Sequence, residues 1–191
     1  MEKKNQTIAT FRCNRISAHL DEVTLRNGTP GKRLKIDHPE AAAVIPIVSD
    51  NEIIMVRQFR YALGRETLEL PAGKMDPGEN PEKCAGRELV EETGYAAGEL
   101  KLVYTYAPAL GYSNELIHIF AGRNLKKVSE KIDEAEIQSV ERIGLERIED
   151  LIKQGLILDG KTVIGLSLLG LLTDRALILV FRFTRPGSFS H

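Results

Sequence analysis

Apolar positions along the chain fall into short runs broken by turn-forming residues. Residues 23–26 and 33–36 flank Asn27-Gly28-Thr29-Pro30-Gly31, which predicts two strands around a tight turn. Residues 41–48 and 52–58 are apolar and rich in β-branched side chains, with Ser49-Asp50-Asn51 between them. They predict a second, more deeply buried hairpin. Pro46 has no N–H to give, so the first of these strands is expected at a sheet edge or with a bulge there. Residues 66–70 predict a short strand ending at Pro71-Ala72-Gly73. A helix then begins at Pro81, with Asn80 as N-cap, and ends at Gly94 in the left-handed position. Further strands are expected over 100–106, 115–121 and 137–143. Leu145, Ile148, Leu151 and Ile152 recur at helical spacing up to Gly155, and residues 161–172 form another apolar helix. Strands, a central helix, more strands and two closing helices suit a mixed sheet covered by helices, an α/β fold.

The 191 residues suffice for one domain with a real core plus a small extension. A formal net charge of −1, with acids and bases interspersed, offers no basic block for nucleic acid and no acidic tail. The polar N-terminus contains no signal-like apolar stretch. The most apolar region, 163–181, is interrupted by Asp174 and Arg175, whereas a membrane span needs about 20 predominantly apolar residues. Cys13 and Cys84 could form one bridge, but a domain of this size does not need it. The expectation is two reduced thiols in a cytoplasmic protein. Four scattered histidines make no zinc site.

The chemistry concentrates in residues 73–95, GKMDPGENPEKCAGRELVEETGY. On a helix, Glu88, Glu91 and Glu92 fall within an arc of roughly 100°. Like charges at this spacing repel, and a bound divalent cation removes the repulsion. Oxygen donors select hard ions, so Mg2+ or Mn2+ is the natural choice. Arg87, four residues before Glu91, can pair with it. Leu89 and Ala85 give an apolar edge to anchor the helix. Gly73 serves as a hinge where a side chain would crowd the turn. Glu79 can fold back onto the metal site or onto Arg87. Taken alone, the three glutamates are no more than a solvated charged face.

The combination resembles the Nudix box: Gly73, five residues, Glu79, seven residues, Arg87-Glu88-Leu89, one residue, Glu91-Glu92, one residue, Gly94. The last position holds Tyr95 where the family usually has an aliphatic residue. The resemblance implies an α/β/α sandwich over residues 39–175, with the N-terminal strands 1–38 as a β-hairpin extension that dimerises. Residues 176–191 do not resemble the family. It implies Mg2+- or Mn2+-dependent hydrolysis, with Glu88 and Glu92 as chief metal ligands. Glu91 would be a further ligand or a supporting carboxylate, and the Ala72 carbonyl could complete the set.

Within the family the chain is similar to ADP-ribose pyrophosphatases and related nucleotide-sugar hydrolases, through residues 56–61 (VRQFRY), 69–73 (ELPAG) and 111–115 (GYSNE). That similarity implies a nucleoside diphosphate sugar as substrate, with Arg60, Glu69, Glu115 and, more weakly, Arg57 as contacts. The acidic loop Asp133-Glu134-Ala135-Glu136 lies where this subfamily often keeps its catalytic base, Glu134 first and Glu136 second. The ADP-ribose enzymes usually carry a proline a little past the box; Leu110 stands there, and Pro108 two residues earlier. This keeps another nucleotide sugar, such as GDP-mannose, open. A nucleoside triphosphate hydrolase and a nucleotide-sensing module without catalysis are the competing readings.

Overall fold

The computed structural model describes residues 1–172; the tail at 176–191, with its apolar start at 176–181, lies outside them. Two sheets form the frame. The first is β1 (Lys3–Cys13), β2 (Ile16–Thr24) and β3 (Pro30–Asp37), antiparallel in that order. The second is larger and mixed, with path β12-β5-β4-β10-β9. Its strands are β4 (Ala41–Ser49), β5 (Glu52–Arg60), β9 (Glu99–Tyr106), β10 (Ile117–Arg123) and β12 (Ile137–Gly144). The short strands β6 (Arg65–Glu69) and β7 (Ala72–Lys74) add to β5 and β4. β10 runs parallel to β4, and the remaining pairs are antiparallel.

β4 is buried on both faces, which explains its unbroken apolar run. Ala42 and Val44 pack with Cys84, Ala85 and Leu89 of α1 (Pro81–Thr93). Ala43, Ile45 and Ile47 face the other way, against Leu151 of α2 (Ile148–Lys153) and Leu166 and Leu169 of α3 (Gly160–Leu172). Helices therefore cover both faces, as expected of an α/β/α sandwich.

Pro46 lies in this central strand, not at an edge. Its parallel neighbour β10 reaches it at Gly122, but pairing with β5 is confined to Ile47 and Ser49, with an irregularity between them. The missing N–H falls where that ladder breaks off. Four strands went unpredicted: β1, the short β7 beside the turn at Pro71, and the two-residue β8 (Tyr95–Ala96) and β11 (Lys126–Lys127), which pair with each other. No helix among the described residues is long and apolar enough to cross a membrane. Cys13 is exposed, Cys84 is buried, and both are free thiols.

The N-terminal sheet joins the larger unit through backbone bonds. The Ile36 N–H donates to Tyr112 O at 2.6 Å, and the Asn114 N–H to Ile36 O at 3.2 Å. The Asn114 side chain accepts from the His38 N–H and donates to Asp37.

Candidate active site

Helix α1 starts as its sequence dictates: Asn80 Oδ1 accepts from the Lys83 N–H at 2.9 Å, and Pro81 opens the first turn. It ends at Gly94, φ 75°, whose N–H reaches Val90 O. Leu89 and Ala85 are fully buried and fix its rotation. That rotation divides the three glutamates. Glu88 and Glu92 turn inward and are buried, while the Glu91 side chain stays half exposed.

Gly73 faces Glu88 across the gap between β7 and the helix. A Cβ there would collide with the Glu88 carboxylate, so the glycine is required by that close approach and not by φ. Glu92 accepts from the Ala72 N–H at 3.0 Å, which puts Ala72 directly against the acidic pair. Burial, and then the neighbouring Glu88, push the Glu92 carboxyl up to about 8. Burial also raises Glu88, though Arg87 beside it opposes the rise.

Arg87 ties the surroundings together. Its Nε and Nη2 donate to Glu79 at 3.0 and 2.9 Å, and its Nη1 to Glu88 at 2.7 Å and Glu91 at 2.9 Å. Nη2 also reaches Lys74 O at 3.1 Å. Glu79 therefore folds onto Arg87, which holds its carboxyl down at about 2. With Glu88 and Glu91 engaged by Arg87, no three acid, histidine or cysteine side chains among the described residues converge as a ready-made metal cage. The donor chemistry still fits a hard cation. Two neighbouring carboxyls, both raised by burial, are destabilised as anions, and a divalent ion would relieve both.

The other sequence-predicted residues divide into groups. Arg60 makes two parallel bonds to Glu69, at 2.7 and 2.6 Å. Glu69 also accepts from Thr67 and from Lys161. Burial pushes its carboxyl up, but Arg60 and Lys161 outweigh it and hold Glu69 at about 2. Arg57, three residues before Arg60, projects from the opposite face of β5. It braces β12 through Glu141, at 2.7 and 3.3 Å, and is not brought to Arg60. Glu115 meets His38 at 3.3 Å. Its charge and that of Asp159 reach Tyr106, whose hydroxyl burial raises to about 12. Glu134 and Glu136 lie exposed in a loop moored to α1 by the Asp133 N–H on Glu91 O. Of the two, Glu136 is the one whose charge acts on Glu88.

Sequence reasoning missed Lys161 and Asp159. Lys161 is buried and also bonds Asp159 Oδ2 at 3.0 Å, the atom that caps α3 through the Thr162 N–H. An aspartate in N-cap position at the start of a helix was the available signal for Asp159; Lys161 had none. Asp159 Oδ1 and Gln58 Nε2 are buried without a hydrogen-bond partner among the described residues. Such atoms are uncommon in folded proteins.

A family profile described as NUDIX domain matches residues 37–162. The "Methanol dehydrogenase activator" of Bacillus methanolicus is 37% identical over 172 residues, covering 89% of this chain and 93% of that protein. The "ADP-ribose pyrophosphatase" of Bacillus subtilis is 38% identical over 158 residues, covering 82% and 85%. The "GDP-mannose pyrophosphatase" of Salmonella typhimurium is 32% identical over 161 residues, covering 78% and 83%. A crystal structure of an "ADP compounds hydrolase" superposes with a TM-score of 0.77 at 24% identity, over 91% of this chain and 97% of that one, and so shares the fold.

Proposed function

Since the chain belongs to the Nudix family, close to its ADP-ribose pyrophosphatases, and is a pyrophosphohydrolase, we propose that it splits the diphosphate of ADP-ribose or a related nucleoside diphosphate sugar. The observation that carries this is the pair Glu88 and Glu92, buried side by side against Ala72 and Gly73. The catalytic domain in this reading is residues 39–175.

Glu88 and Glu92 are the proposed ligands of Mg2+ or Mn2+, with Glu91 and the Ala72 carbonyl in support. The ion supplies charge neutralisation at the phosphates and makes water easier to deprotonate. Glu136 then stands ahead of Glu134 as the group that takes the water proton, because its charge reaches Glu88. The water oxygen bonds to one phosphorus and the bridging P–O bond breaks. A nucleoside monophosphate and a sugar phosphate leave. Arg60, held flat by Glu69, presents a guanidinium edge to the substrate. Glu115, whose charge acts on Tyr106, is a further proposed contact. Arg57 is proposed as a distant support of β5.

Glu92→Gln tests the reading. Turnover of ADP-ribose with Mg2+ should fall by about 10³-fold or more while circular dichroism stays unchanged. Unchanged activity would remove the ligand assignment. GDP-mannose is the second substrate to assay: Leu110 occupies the loop position noted above, and one relative carries that activity in its name. Monophosphate with sugar phosphate supports the proposal, whereas rapid triphosphate hydrolysis supports the competing one.

We propose cytoplasmic residence, consistent with two free thiols. We also propose that residues 1–38 assemble a homodimer. Ala9, Phe11, Ala18, Leu20, Leu34 and Ile36 share one face of the N-terminal sheet by register, and Phe11 is 76% exposed.

A further inference from the structure

β4 has two ends. Its first residues border β7 and the acidic pair. At its other end, about 20 Å further along the strand, a separate cavity opens. Its volume is about 300 Å³, the lower end of the range in which small ligands are held. None of Ala72, Glu88, Glu92, Arg60 or Glu69 lines it. The polar lining is Ser49, Asp50, Tyr95, Arg123, Asn124 and Arg142.

Two guanidiniums share this small space. Arg123, the last residue of β10, is half buried, and its side chain has no hydrogen bond or ion pair among the described residues. Arg142 is half exposed, reaches Glu52 only at 3.4 Å and lies against the Tyr95 phenol. A third cation, Lys127, sits 4.9 Å from the centre of the Tyr95 ring but outside the lining, donating to Thr93 O at 3.3 Å. The two guanidiniums at the cavity repel each other, and an anion between them reverses the sign of the interaction. Arginine forks match phosphate oxygens in geometry as well as charge. Asp50 works against a bare anion but accepts from hydroxyl groups, as does Ser49. The lining therefore offers two guanidiniums for a phosphate, a carboxylate and a hydroxyl for hydroxyl groups, and an aromatic ring.

We propose that this cavity binds a phosphomonoester of a small sugar or polyol, its phosphate on Arg123 and Arg142 and its hydroxyls on Asp50 and Ser49. An occupant there touches Tyr95, the residue after the glycine that ends α1. Binding is thus registered at the foot of the helix that carries Glu88 and Glu92.

The test is calorimetric titration of the full chain in EDTA with ribose 5-phosphate, with inorganic phosphate and free ribose as comparators. Arg123→Ala and Arg142→Ala should each raise Kd by about tenfold or more, and Arg60→Ala should leave it unchanged. Arg123→Gln preserves bulk and replaces the alanine variant if circular dichroism shows that one unfolded. The sugar phosphate should bind more tightly than either comparator, and Asp50→Asn should erase its advantage over phosphate. Equal affinity in the Arg123 and Arg142 variants and wild type, loss of binding in Arg60→Ala instead, or no binding at millimolar ribose 5-phosphate would each overturn the assignment.

Discussion

Glu92 is a carboxylic acid held in the interior. Burial holds its carboxyl protonated up to about pH 8, against an ordinary value of 4.5. A carboxylate raised in the folded state contributes stability below its unfolded value and loses it as pH climbs through the folded one. In chelator, the urea midpoint should therefore fall between pH 5 and pH 8.5, and Glu92→Gln should flatten that slope. An equally steep slope in the variant would assign the effect elsewhere. Lys161 calls for a kinetic test. It shares Glu69 Oε2 with Arg60, so Lys161→Met should leave Arg60 to answer Glu69 alone and draw it away from the proposed substrate position. KM should rise by about tenfold with kcat less affected, while stability drops by about 1–3 kcal/mol. Lys161→Arg should restore most of both.

At the scale of elements, α1 was legible because its signals agree. Asn80, Pro81 and Gly94 mark the ends, Ala85 and Leu89 mark the buried side, and the acids mark the rest. Asn80→Ala should cost about 1 kcal/mol, read as a lower melting temperature. Leu89→Ala, at a fully buried position, should cost about 2–5 kcal/mol. β1 was illegible because it is exposed almost throughout and alternates poorly, so neither face marks it as a strand. β8 and β11 pair over two residues each, too short for any period to show. Pro46 pointed to an edge or a bulge because its N–H is missing; tertiary context put it in an interior strand, with the irregularity just past it, between Ile47 and Ser49. The same limits hold at the site. The box motif names Glu88 and Glu92, but only the fold reveals which glutamate turns to solvent, that Glu79 chooses Arg87, and that Lys161 arrives from a distant helix.

For the whole molecule, the division into two sheets matters most. The proposed assembly places Phe11 in a shared surface, so Phe11→Asp should convert a dimer into a monomer in size-exclusion chromatography with light scattering. A wild-type monomer at micromolar concentration would end that idea. The two sheets also meet along one stretch of backbone, where Ile36 exchanges bonds with Tyr112 and Asn114. Glu115 is the next residue in that stretch, and its neighbour His38 leaves β3 from the other side. Whatever steadies the outer sheet thus steadies a side chain proposed to face the substrate. Such a protein would work as a concentration gauge: on dilution to where subunits part, each molecule should become a poorer catalyst, before any of them unfolds.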